Sequence, residues 1–232
     1  MFIKKIFSVL LLLTVLILPQ TVFAEKTDWF DRSFGFRNIH RVIVFDLTAN
    51  RGTDYGGNIA WRNMQDIFAQ STSKMRCQVV TEAQARREIG YRTGIDLESL
   101  NFSNPMEARR IVMENAYTIA DAWVISNLDT WGTTSYVIPE HTEWESKRET
   151  RTYYDRHGKR REEVYYVQVP VTYPPRRVEV LTVQVTFQAF EARRGDMIFA
   201  RKDVRDREDY SSMGMYTRIC ESFFEDFGKK MR

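Results

Sequence analysis

The sequence predicts a mixed α/β fold: a two-layer mixed sheet packed by helices, with a long exposed β-hairpin insertion. Three observations carry this. Residues 41–48, RVIVFDLT, form a continuous apolar, β-branched run, the pattern of a strand buried on both faces. In a second strand Leu181, Val183, Val185, Phe187 and Ala189 alternate with the polar Thr182, Gln184, Thr186 and Gln188, so one face is covered and the other wet. Tyr216, Ile219, Cys220, Phe223, Phe224 and Phe227 follow helical spacing without a gap, an apolar stripe that must dock on the sheet. Composition agrees: of 232 residues, 43% are hydrophobic and 28% charged, which excludes disordered, collagenous and multi-span membrane chains.

Residues 1–24, MFIKKIFSVLLLLTVLILPQTVFA, set Lys4 and Lys5 before an uncharged apolar run, a breaker at Pro19 and a small residue, Ala24. That is the order of a signal peptide cut after Ala24. The run at residues 6–18 is shorter than the roughly 20 residues a membrane span needs, and retention as an anchor is the alternative. Export puts the mature chain in the bacterial periplasm or at the cell surface, away from ATP, NADH and chromosomal DNA. Loss of Lys4 and Lys5 brings the formal charge of +3 nearer zero, so nothing pulls the chain towards nucleic acid.

Residues 25–39 read as a polar, aromatic leader and residues 40–232 as a single domain. After the first strand, Gly52, Gly56 and Gly57 make a loop, and Ala60, Trp61, Met64, Ile67 and Phe68 predict an amphipathic helix over residues 58–71. Residues 77–80 are a short second strand. Thr81 and Gln84 make the capping-box pattern of a helix ending at Gly90. Asn104 and Pro105 open the next helix, with Glu107 in its first turn, and a third strand follows at residues 121–126. Residues 136–175 interleave charges with Tyr and show no clean apolar face. Arg156, His157, Gly158 and Lys159 between two Tyr-bearing arms predict an exposed hairpin flap with its tip near Gly158. Arg194, Gly195 and Asp196 turn the strand of residues 178–190 into its partner at residues 197–200, and the last helix starts near Ser212.

This succession, with Ala120, Asp121 and Ala122 entering the third strand and a strand-turn-strand at residues 191–199, resembles a bacterial envelope group over roughly residues 40–228. The group is the α/β domain shared by the lipoprotein activators of penicillin-binding proteins (LpoB), the curli secretion lipoprotein CsgG and the N-terminal domain of TolB. The chain lacks the lipidated cysteine of those lipoproteins. The resemblance implies a non-catalytic domain that binds a partner.

Catalytic patterns are incomplete. Gly52 and Gly57 stand where a phosphate loop belongs, but Asn58 and Ile59 replace its Lys and Ser/Thr, and Asp54 would repel phosphate. Asp46, at a strand end, resembles the nucleophile of magnesium-dependent phosphotransferases of haloacid-dehalogenase type. Thr48 occupies the place of their second acid, and only Asp203 and Asp206 offer a further acidic pair. That enzyme is the alternative to a turn-forming role for Asp46. His40, His141 and His157 are scattered, which supports neither a metal site nor a Ser-His-Asp site. Glu143 and Glu145 share one face of an extended segment and read as a solvated strand rather than a sugar-cleaving pair. No cofactor is indicated.

Binding chemistry concentrates in the flap. Trp144, Tyr153, Tyr154, Arg156, Arg160, Arg161, Tyr165 and Tyr166 supply the rigid aromatics and Arg that contact surfaces enrich. Asp155, Glu162 and Glu163 dilute them, and the other reading is an edge hairpin blunted by charge. The flap is too polar for a pore, whose lipid-facing strands need an apolar residue at every second position. The function expected is that of a non-catalytic exported cell-envelope protein binding an envelope protein or cell-wall polymer, with a homo-oligomer as a further assembly. A structural envelope component is the third reading. Cys77 and Cys220 either pair, closing about 140 residues for about 4 to 5 kcal/mol, or remain core thiols.

Overall fold

The computed structural model describes residues 25–50, 53, 56–208 and 212–231. The signal segment and Gly52 and Asp54 of the glycine loop lie outside the described residues. Two compact units divide the chain: residues 134–179, which hold the flap, and the remainder. In chain order the elements are β1 (Glu25–Phe30), β2 (Arg41–Val44), β3 (Thr48–Ala49), α1 (Gly57–Ser71), β4 (Gln78–Thr81), α2 (Glu82–Thr93), α3 (Leu97–Ser103) and α4 (Pro105–Glu114). They continue with β5 (Ala122–Ile138), β6 (His141–Tyr154), β7 (Arg160–Tyr173), β8 (Arg176–Glu191), β9 (Met197–Glu208) and α5 (Ser212–Lys230).

One sheet runs β1-β9-β8-β5-β2-β4, with β3 on β5; β6 and β7 form a second sheet by themselves. β2 is parallel to β4 and β5, whereas β9 is antiparallel to β8 and β1, so the larger sheet is mixed. Alternation along β2 decides its packing. Val42 and Val44 join the core made with α1 and α5, while Ile43 and the following Phe45 join a second core with Ala85, Ile89 and Val112 of α2 and α4. Helices therefore cover both faces at the parallel end. At β8 the pattern is one-sided: Val183, Val185, Phe187 and Ala189 are buried in the α5 core, and Gln184, Thr186 and Gln188 stay half-buried on the other face. Phe187 stacks on Phe223 of α5 with ring centroids 4.1 Å apart.

Several boundaries differ from the sequence reading. Residues 25–30, read as leader, are edge strand β1, paired with β9 from Glu25↔Val204 to Phe30↔Phe199. The cause is Arg201 of β9, only 1% exposed, whose guanidinium grips Asp28 of β1 at 2.6 and 2.7 Å and reaches Asp226 of α5 at 3.0 Å. A buried guanidinium without carboxylates would cost several kcal/mol, so β1 and α5 meet over it.

Helix α2 has the expected capping box, Thr81 Oγ1 accepting from the Gln84 N–H and Gln84 Oε1 from the Thr81 N–H, yet it passes through Gly90 and ends at Gly94, φ 73°. Gly90 marks a close approach: a Cβ there would lie 2.8 Å from the Ile95 carbonyl oxygen. Helix α3 was missed in the sequence. Its cap is Asp96, accepting from the Ser99 N–H at 3.0 Å and its hydroxyl at 2.6 Å. Asn104 caps α4 as expected, accepting from the Glu107 N–H at 3.2 Å.

Cys77 and Cys220 are unbonded thiols, so the disulfide expected as one of two readings is not formed in this structure. Both pack in the α5 core, and desolvation raises their thiols to about 11 and about 12. Among the described residues no helix is long and apolar enough to cross a membrane.

Candidate partner-binding ribbon

β6 and β7 pair antiparallel from His141↔Tyr173 to Tyr154↔Arg160 without a register shift. Thr, Tyr, Trp and Val at many positions favour the extended backbone. Each arm has 14 residues, about 45 Å at the usual strand rise. The connection is a tight turn in which the Gly158 N–H donates to the Asp155 carbonyl at 2.9 Å and Gly158 adopts φ 72°, a conformation glycine enters freely. The Asp155 carboxylate accepts from the backbone N–H groups of His157 and Lys159 at 2.9 and 3.0 Å and from Arg161 Nε at 3.1 Å. Those bonds, the one from Lys159 foremost, hold its pKa below the usual carboxylate value.

No residue of β6 or β7 is buried. A two-stranded ribbon with neither face covered is marginal by itself in water, so these side chains form a surface, not a core. The pleat sorts them. Trp144, Tyr154, Arg160 and Tyr166 of the expected set lie on one face; Tyr153, Arg161 and Tyr165 lie on the other; Arg156 is in the turn. Sequence reasoning grouped the two faces as one.

The faces also differ in chemistry. On the second face most polar groups are already engaged: Tyr165 Oη donates to Glu149 at 3.2 Å, Tyr173 Oη donates to Glu145, Arg151 pairs with Glu163 at 2.8 Å, and His141 stacks on Tyr173. Donation to the Glu145 carboxylate raises the Tyr173 phenol. On the first face Trp144, Tyr154 and Tyr166 are 70, 72 and 68% exposed, and among the described residues none has a ring or hydrogen-bond partner. Thr142, Ser146, Thr150, Gln168 and Thr172 surround them, with Arg148 directly across from Tyr166. Sequence reasoning missed Arg148, and also the row Val167, Val169, Val171 and Tyr173 on the second face, which the two-residue alternation of residues 166–173 would have disclosed.

The other sites considered in the sequence resolve as follows. Asp46 follows β2; its N–H donates to Glu82 Oε2 at 2.9 Å and its carbonyl accepts from Arg109 at 3.3 Å. Glu82 is buried and also holds Arg86 at 3.4 Å and Arg109 at 2.5 Å. Desolvation, then the Glu82 charge, raises the Asp46 carboxyl against the pull of Arg109 and Arg86. Asp203 is buried on β9 against Arg205, and β8 and β5 separate β9 from β2, so Asp203 and Asp206 do not converge on Asp46. Among the described residues no group of three or more His, Cys, Asp or Glu could hold a metal ion. A groove of about 510 Å³ between β4 and α2 has Arg41 and Glu88 in its wall, paired with each other at 2.7 Å.

No protein-family model matches the sequence, and the search of curated proteins gives no match. Among solved structures, the chain is similar to the PelC dodecamer from Paraburkholderia phytofirmans, at 10% identity and a TM-score of 0.41, over 90% of this chain and 97% of that one. It is also similar to lipoprotein GNA1162 from Neisseria meningitidis, at 11% identity and a TM-score of 0.39, over 82% and 99% of the two chains. Identities and scores this low carry no function from one chain to another.

Proposed function

We propose that this chain is a non-catalytic, exported cell-envelope protein that works by binding an envelope protein or cell-wall polymer through the Trp144, Tyr154 and Tyr166 face of its ribbon. One observation carries the reading: about 45 Å of paired strand buries none of its side chains yet holds three large aromatics in solvent. Rigid aromatic rings beside Arg148 and Arg160 gain most when a partner desolvates them. The sequence signal for export and the element order shared with envelope domains support the location.

The test is a crosslinking pull-down from native envelope, comparing the mature chain with one in which a short Gly-Ser turn replaces residues 147–163. Loss of a specific partner with the fold intact is expected. Trp144→Ala with Tyr166→Ala should reproduce most of the loss, and Tyr153→Ala with Tyr165→Ala should not. An unchanged partner set would remove the ribbon from the reading, and phosphatase turnover abolished by Asp46→Asn would replace it with an enzyme.

A further inference from the structure

We propose that the outer edge of β6 pairs antiparallel with the same edge of a second copy of this chain, centred on Arg148. The proposal rests on the reading of the ribbon as a contact element and adds the occupant, the edge and the register.

The backbone shows which edge is available. The Asp155 N–H donates to the Lys159 carbonyl at 2.9 Å, so that pair is hydrogen-bonded across the ladder. Hydrogen-bonded and non-hydrogen-bonded pairs alternate in an antiparallel ribbon, so Tyr154 with Arg160 is a non-bonded pair. With the register unbroken, every even-numbered residue of β6 and β7 then turns its N–H and C=O outward. Pro170, opposite Trp144, falls in that outward set, which is where a residue without an N–H fits. The outer edge of β7 thus lacks a donor at Pro170 and meets an incoming strand with a ring. The outer edge of β6 has no proline, and among the described residues no third strand covers it.

The order of charges along β6 selects its own copy. In antiparallel pairing centred on Arg148, Glu145 faces Arg151 of the second copy and Lys147 faces its Glu149, each contact repeated by the twofold axis. On the opposite face Trp144 meets Thr152 and Ser146 meets Thr150. Other centres fail: at residue 146 Glu143 meets Glu149, at 147 Glu145 meets Glu149, at 149 Lys147 meets Arg151, and at 150 Glu145 meets Asp155. The even-numbered residues also become the hydrogen-bonded pairs in this register, as their outward groups require. Within one ribbon Lys147 lies 3.4 Å from Glu149 and Arg151 pairs with Glu163, but these are exposed contacts worth little, so they exchange readily. The register leaves one like-charge contact, Arg148 against itself, and that makes it testable. The product is a four-stranded sheet, which meets the strand number an isolated ribbon lacks and joins two Trp144 faces into one.

Analytical ultracentrifugation of the full mature chain tests this. A concentration-dependent dimer is expected. Glu145→Arg should weaken its Kd roughly tenfold, and adding Arg151→Glu should restore it to within about threefold of the parent. Arg148→Thr should tighten it about threefold. Ser146→Pro, which places a proline in an outward position as at Pro170, should abolish the dimer while the ribbon persists. A strict monomer, a larger ring, a Glu145→Arg protein that dimerises like the parent, or a double reversal without rescue would each overturn the proposal. Glu145→Arg that loses the dimer but keeps the envelope partner, beside Trp144→Ala with the reverse behaviour, distinguishes failure of this proposal from failure of the binding reading.

Discussion

Taking away the Arg201 guanidinium leaves the partly exposed Asp28 and Asp226 with Lys26 alone between them, also stripping the Phe199 and Phe223 rings of the cation 5.6 and 5.9 Å from their centroids. Arg201→Ala should lower stability by about 3 to 5 kcal/mol in urea denaturation and raise hydrogen exchange through β1 first. The same cluster sets an acid limit. Burial would raise Asp226, but hydrogen bonds from Lys26 and Arg201 and their charges hold it at about 2. Because the folded pKa lies below the unfolded value near 4, this contribution is complete above about pH 4 and disappears as pH falls towards about 2. Asp226→Asn should flatten that part of the stability profile by on the order of 1 kcal/mol, allowing for the solvent that screens the pair. Arg201 was not legible as a core residue in the sequence, because RK within residues 197–208 reads as an exposed end and its two carboxylates lie far along the chain.

Elements were legible where one rule acted alone. The α5 stripe and the β8 alternation each follow a single period, and Thr81 with Gln84 and Asn104 with Pro105 are local caps, so these agreed with the structure. The end of α2 was misplaced because glycine signals both a helix stop and a close contact, and at Gly90 the contact with Ile95 prevails. Gly90→Ala should therefore destabilise by about 1 to 3 kcal/mol despite alanine's better helix propensity, read as a lower midpoint in thermal melting. β1 was misread because EKTDWF has no alternation, its pairing being dictated by Arg201 at a distance. An exported chain beginning at Glu25 keeps the whole strand. Intact-mass measurement should find that start, and a chain trimmed to begin at Asp31 should melt lower and expose Arg201.

At the scale of the whole molecule, the flap and its residue types were legible, but the division between its two faces was not, since pairing register and turn length together set the faces and no single residue encodes them. The two cysteines show the same limit: the sequence left pairing open, and the structure places both against the α5 core as free thiols. Unfolding in alkylating reagent without reductant should add two alkyl groups, whereas the native protein should react slowly because both thiols are raised well above neutral pH. Lastly, the edge strand has a consequence in time. β1 lies at the start of the described chain and, among the described residues, its one strand neighbour is β9, which only α5 follows. Synthesis proceeds from the amino end, so β1 must wait unpaired for β9, the last of the described strands. Loop closure over that separation is slow, so this edge of the sheet forms late, only when nearly the whole chain has been made.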